Sequence, residues 1–237
     1  MILIFIFKEF VFDSIVLAPS GDGFFIYAWL DGLLGLLGLE GLPPFRLTLV
    51  NIDLAAQFFT HVKVSFFLAL ILAAPYIFYL VWSFVAPALY PKEKRDVRRS
   101  FWLSGGLFYA GLLFGYALIF PLTIRFLGTY QVSADVQNTI SLQSYISMFL
   151  GLIFVMGVVF ELPSLAALLS RFGIIDRKML RKARKYAIVV SAVLAAVITP
   201  SGDAFTMCVV ALPIYLLYEL SIRFCREERR PIGDFLQ

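Results

Sequence analysis

Apolar runs of membrane length, separated by short charged clusters, set the pattern of this chain. Five stand out, at residues 62–86, 101–124, 142–170, 186–198 and 204–222. A spanning helix needs ~20 apolar residues, so each run predicts a transmembrane helix, and the fourth is visibly short. Barrel strands would instead show ~10-residue segments of alternating polarity, and these runs are continuous. Basic clusters at 92–99, 171–185 and 223–230 hold sixteen of the 20 Lys and Arg residues. They follow the first, third and fifth runs, which puts all three on the cytoplasmic side by the positive-inside rule. Loops 125–141 and 199–203, with Asp135 and Asp203, then lie outside, as does the Gly-rich, net acidic segment 8–61. Residues 223–237 form a cytoplasmic tail.

The amino terminus departs from this rhythm. Residues 1–7 are apolar, but seven helical residues reach only ~10 Å and cannot cross ~30 Å of hydrocarbon. They lack the basic region and cleavage site of a signal peptide. The expectation is the outer end of a span whose beginning is absent, with Lys8, Glu9 and Asp13 marking emergence and residues 10–17 along the interface.

Composition agrees with a single all-α, polytopic transmembrane helical bundle over 1–237: 61% hydrophobic, 15% charged, mean hydropathy +0.88. The basic pI near 9.1 reflects loop charge beside membrane runs and does not argue for nucleic acid, although such clusters suit anionic headgroups. Cys208 and Cys225 read as apolar fillers rather than a disulfide. With one histidine, His61, zinc clusters and His-based dyads are poorly supported, and no cofactor or metal is expected.

The polar position of most interest is Glu161, inside the apolar run 149–169 and two residues before Pro163. A carboxylate at membrane depth costs about 2.5–3.5 kcal/mol on insertion scales, so it marks a functional position by default. Pro163 removes a backbone N–H and frees a carbonyl one turn back. The plainer alternative is a protonated acid bonded to a neighbouring helix. Pro75, Pro121, Pro163 and Pro213 should each bend their helices. Gly111 and Gly115, in GxxxG spacing, predict close helix packing. Glu219 is expected to face Arg223, its i+4 neighbour. The loop Thr199-Pro200-Ser201-Gly202-Asp203 predicts a tight turn.

Phe84-Val85-Ala86-Pro87-Ala88-Leu89-Tyr90-Pro91-Lys92-Glu93-Lys94-Arg95 closes the 62–86 span with aromatics, a proline and an acid among basic residues. Physics alone reads Glu93 as a solvated, salt-bridged charge. The string, however, closely resembles the first cytoplasmic loop of TatC, the polytopic subunit of the twin-arginine protein translocase. Gly157-Val158-Val159-Phe160-Glu161-Leu162-Pro163 resembles that family's fourth-helix glutamate motif. Arg181-Lys182-Ala183-Arg184-Lys185-Tyr186 is similar to its second cytoplasmic loop. Ile198-Thr199-Pro200 through Asp203-Ala204-Phe205, and Leu212-Pro213 to Tyr218-Glu219, resemble its last external turn and last helix. The resemblance covers roughly residues 45 to 225.

The resemblance implies a glove-shaped six-helix fold, its first helix truncated here to 1–7, in the cell (cytoplasmic, or inner) membrane with a cytoplasmic C-terminus. It implies a non-enzymatic receptor and scaffold. Such a protein binds Arg-Arg signal peptides of folded cargo, recruits single-span TatA/TatB-type subunits, self-associates in a receptor complex and works with the proton-motive force. Glu93 would contact the twin arginines, with Phe84, Tyr90, Lys94 and Arg95 forming the surrounding surface. Glu161 would be the intramembrane polar site, and Val197, Ile198, Thr199 and Met207 the contact for partner subunits. Two departures stand out. Family members begin with a cytoplasmic segment carrying a second arginine-recognising glutamate, and Met207 stands where many relatives carry glutamine.

A secondary transporter using Glu161 as an ion or proton site is the rival class, since it too needs a deep acid and broken helices. The two halves show no internal repeat, and Glu161 is the one deep acid. An intramembrane enzyme would need a Ser–His pair, a zinc motif or paired deep aspartates, and the sequence offers none; nor is there a P-loop.

Overall fold

The computed structural model describes residues 6–36, 38, 41, 44–85, 91–131, 133, 138–199 and 202–225, without the side chains of 33, 82, 85 and 91–101. Ten α-helices appear among them. The first, α1 (Lys8–Val11), widens into a π-helical turn, Phe12–Val16, and is followed by α2 (Phe25–Leu36). Next come α3 (Ala56–Val85) and α4 (Pro91–Phe114), which runs through a second π turn, Gly115–Ile119, into α5 (Phe120–Thr129). The remainder are α6 (Leu142–Val159), α7 (Leu162–Arg171), α8 (Arg177–Lys182), α9 (Arg184–Ile198) and α10 (Ala204–Phe224). Two short strands, β1 (Leu49–Val50) and β2 (Ile140–Ser141), pair in parallel.

Among the described residues four stretches are long and apolar enough to cross a bilayer: Ala56–Val81, Trp102–Thr129, Leu142–Arg171 and Ala204–Phe224. Helix α9 has 15 residues and rises about 22 Å, short of the hydrocarbon thickness. Its ends show why it stops. Thr199 leaves the helix in extended conformation, Gly202 takes φ +60°, and the Asp203 carboxylate accepts from Thr206 N at 2.7 Å to start α10. On the other side, α7 ends in a glycine turn at Gly173 (φ +73°), and Asp176 caps α8 through Met179 N at 2.6 Å.

The prolines divide into two kinds. Pro75 and Pro213 sit inside helices that continue through them. Pro121 and Pro163 lie in the first turns of α5 and α7; at Pro163 the chain begins a new helix, whereas at Pro121 the preceding π turn carries the helix on without a break.

Helix α6 is the hub. Tyr145, Ile146, Leu152 and Met156 are essentially fully buried, and Phe120 packs edge-on against Tyr145 and Phe149. The amino-terminal segment packs one side against this wall and leaves Phe10, Asp13 and Ser14 exposed on the other. Val11 and Val16 are buried, and Tyr116 and Tyr145 donate to the Ile15 and Val16 carbonyls at 3.0 and 2.8 Å.

The region expected as an external loop folds into a cap against the side of the bundle, along the Thr129 end of the span Trp102–Thr129. Tyr27 donates to Pro19 O at 2.9 Å and Pro121 O at 3.3 Å. Arg125, expected as a loop charge, is buried with its guanidinium over the Tyr27 and Phe45 rings, at 5.0 and 5.3 Å. Asp22 accepts from Phe45 N, and the β1–β2 pair joins this cap to the loop before α6.

At the opposite end Glu219 pairs with Arg184, not with Arg223. The guanidinium reaches both carboxylate oxygens, at 2.9 and 2.8 Å, tying the start of α9 to the end of α10. The hairpin geometry overrides the local i+4 preference. Cys208 and Cys225 are free thiols, the first exposed and the second buried.

Candidate functional site

Helix α6 ends at Val159 because Pro163 cannot donate to the carbonyl four residues before it. Phe160 and Glu161 make the intervening turn, held by Phe160 N to Met156 O and Glu161 N to Val158 O, each 3.0 Å. This break sets Glu161 apart from an ordinary helical position.

Its carboxyl is divided between two environments. Oε2 accepts a hydrogen bond from the Ser104 hydroxyl on α4, while Oε1 is buried with no hydrogen-bond partner. An acceptor in that state is costly and invites a donor. Around the break Val158 and Leu165 are exposed, so an apolar helix can approach it.

Glycines create the contact. A Cβ on Gly111 would stand 2.5 Å from Met156 O and 2.7 Å from Phe160 Cβ. One on Gly115 would meet Ile153 Cα at 3.1 Å, and one on Gly157 would meet Leu112 Cδ2 at 2.9 Å. Without side chains at these positions α4 and α6 touch closely, and Ser104 comes within reach of Glu161. The GxxxG pair therefore serves packing within the chain, as its spacing predicts.

Of the residues expected at the cytoplasmic recognition surface, Tyr90 lies outside the described residues, as do the side chains of Glu93, Lys94 and Arg95. The backbone of Glu93, Lys94 and Arg95 lies in the first turns of α4, begun by Pro91. A carboxylate in a first turn is favoured by the helix dipole. Glu93 and Ser104 share α4, separated by about 16 Å of helix rise. Phe84, near the end of α3, is 85% exposed. At the expected partner contact, Val197 is 80% exposed and Ile198 and Met207 are half-buried. Thr199 is buried, its hydroxyl donating to Ala195 O at 2.9 Å. What α9 presents outward there is the Val197 side chain.

Ser104 escaped the sequence reading. A serine beside two glycines in an apolar helix carries no signal of a partner 57 residues away. Among the described residues no group of three His, Cys, Asp or Glu is placed to hold a metal ion.

Residues 1–213 match the profile of the family described as Sec-independent protein translocase protein (TatC). A relative of that name from Carboxydothermus hydrogenoformans is 36% identical over 196 residues, covering 83% of this chain and 80% of its own. One from Escherichia coli K12 is 40% identical over 179 residues, covering 76% of this chain and 69% of the relative. The fold matches a crystal structure of a twin-arginine translocase receptor, TatC, in the detergent DDM. The TM-score is 0.68 at 31% identity, over 95% of this chain and 99% of the other. A second crystal structure of such a receptor gives 0.66 at 32% identity.

Proposed function

The chain belongs to the TatC family of Sec-independent protein translocase proteins, and from that premise we propose that it is the signal-peptide receptor and scaffold of a twin-arginine translocase. Its multi-pass membrane character supports this role. The observation that carries the reading is the likeness, over 95% of the chain, to a solved twin-arginine translocase receptor.

In this reading the cytoplasmic first turn of α4 is the recognition face. Glu93 accepts a bidentate, charge-assisted contact from a signal-peptide guanidinium, a geometry that lysine cannot reproduce. Phe84 supplies an exposed apolar surface beside it, and Tyr90, Lys94 and Arg95 complete the patch. Glu161, bonded to Ser104 about 16 Å along α4 from Glu93, is the second station, in the membrane, where the unfilled Oε1 acceptor receives a donor from an inserted helix. The short α9, through Val197 and Ile198 with Thr199 buried behind them, and Met207 on α10 face single-span subunits of TatA/TatB type. The chain self-associates in the receptor complex, keeps its C-terminus cytoplasmic, performs no chemistry itself, and draws on the proton-motive force for transport.

The deciding experiment measures binding of a fluorescent Arg-Arg signal peptide to the purified chain in nanodiscs, against a Lys-Lys peptide and against the Glu93→Gln chain. Arg-dependent binding that weakens in Glu93→Gln is expected. Equal binding of both peptides would remove the receptor reading, and substrate-stimulated flux by the chain alone in proteoliposomes would favour a transporter.

A further inference from the structure

Helix α2 has no polar face. On one side Ile26 and Tyr27 are buried, together with the preceding Phe24, and Leu30 packs on the same cluster. On the opposite side Phe25, Trp29 and Leu36 are 58%, 58% and 86% exposed. Ala28 and Gly32 lie between them, also exposed, at the i, i+3, i+4, i+7, i+11 spacing of one helical stripe. Asp31 is the single charged residue of 25–36 and falls outside the stripe. A helix apolar all round is one that is covered on every side, so an apolar medium belongs against Phe25, Trp29 and Leu36.

The position of α2 identifies that medium. Tyr27 donates to the carbonyl of Pro121, and the Arg125 guanidinium lies over the Tyr27 ring. Phe24 packs edge-on against Tyr116 at 5.4 Å. Pro121 and Tyr116 both belong to the span Trp102–Thr129, and Pro121 lies about 12 Å of helix rise inside its outer end. Helix α2 is thus fastened beside the membrane-spanning part of the bundle and not above it.

We propose that α2 is an interfacial helix whose Phe25–Trp29–Leu36 stripe is seated in the outer leaflet, at the boundary between headgroups and acyl chains. The occupant is lipid. Tryptophan and phenylalanine are the side chains suited to this boundary, where an aromatic body meets hydrocarbon and the indole N–H meets headgroup oxygens. The arrangement would anchor the external cap to the bilayer on one side while Tyr27 and Arg125 anchor it to α5 on the other. It depends on the chain spanning the membrane and is independent of the receptor reading.

The test uses the full chain in liposomes and the emission of Trp29, taken as the difference between the parent chain and Trp29→Phe. Quenchers are phospholipids brominated near the carbonyl end of their chains, phospholipids brominated near the chain terminus, and aqueous iodide. Trp29 emission should be lost to the shallow brominated lipid, less to the deep one, and spared by iodide. Quenching by iodide would place the stripe in water and overturn the proposal. Quenching by none of the three would mean that protein, a second copy of the chain or a partner, covers it, which also overturns it. Should Trp29→Phe fail to reconstitute, nitroxides at Phe25 and Leu36 in a Cys208→Ser chain give the same decision. Greater access to oxygen than to a soluble nickel chelate supports lipid, and the reverse order refutes it.

Discussion

The hydroxyl of Ser104 on α4 donates to a carboxyl oxygen of Glu161 at the break between α6 and α7. The bond couples an intramembrane acid to the helix whose first turn carries Glu93. Truncating Ser104 to alanine leaves Oε2 without its donor beside an Oε1 that already has none, a loss of about 1–3 kcal/mol for a buried acceptor. Replacing Glu161 with methionine, of similar length, removes the need for that donor. The double variant Ser104→Ala/Glu161→Met should therefore be more stable than the sum of the singles predicts, by roughly 0.5–3 kcal/mol. Unfolding midpoints in detergent measure this, and strictly additive effects would mean the bond contributes nothing.

Glu161→Gln isolates the charge from the hydrogen bond. The amide keeps an oxygen that Ser104 can bond and is nearly isosteric with the protonated acid, so stability should change little, within about 0.5 kcal/mol. Crosslinking to signal peptide or to a single-span subunit reads the functional half. A variant with normal stability and reduced crosslinking assigns the acid to recognition; unchanged crosslinking on both counts leaves it a packing element.

The cap over α5 has its own pH dependence. Burial pushes the Tyr27 phenol well above the ordinary tyrosine range, partly offset by Arg125 beside it. The folded state therefore holds this proton where the unfolded chain gives it up. Its stabilisation is fully present below about pH 10, the unfolded tyrosine value, and is lost as pH rises toward the raised folded value. Hydrogen exchange in 18–46 should accelerate above about pH 10, and Tyr27→Phe should blunt that Tyr27-specific step at a cost near 1 kcal/mol at neutral pH. An identical alkaline profile in Tyr27→Phe would contradict the assignment.

The Arg184–Glu219 pair is bidentate, but its side chains are 49% and 31% exposed. Solvent screens such a pair, so Arg184→Gln should cost at most about 1 kcal/mol in a detergent melt. A larger loss that the reversed pair Arg184→Glu/Glu219→Arg restores would show the charges to be more shielded than their exposure indicates.

How much of this was legible follows from which forces act locally. The apolar lengths announced the long spans and the shortness of α9 because hydrocarbon thickness is a one-dimensional constraint. Glu161 was visible because a charge inside an apolar run needs no partner to be noticed. Its partner was not, since Ser104 is one of many hydroxyls and its bond depends on a helix crossing. The cap escaped for a related reason: Tyr27 bonds a backbone carbonyl 94 residues away, and carbonyls carry no sequence signal. Arg125 read as a loop charge because two rings from distant segments accept it. Glu219 was matched to the nearest base along its helix, whereas the α9–α10 hairpin supplies Arg184.

Glycine spacing in α4 was the one sequence feature that anticipated a tertiary contact, and it allows a matched test. A methyl on Gly111 would collide with the Met156 carbonyl, a backbone atom that moves only if α6 moves. Gly106, five residues earlier in the same helix, has open space where its Cβ would be. Helix propensity alone favours alanine over glycine by about 1 kcal/mol at either place. Gly106→Ala should then be neutral or mildly stabilising, whereas Gly111→Ala should lose about 1–3 kcal/mol through overpacking. Because Ser104 meets Glu161 across this crossing, Gly111→Ala should also weaken the Ser104–Glu161 coupling energy, which Gly106→Ala should leave intact. Parallel changes at both glycines, in stability or in coupling, would show that the close approach of α4 and α6 does not hold the acid in place.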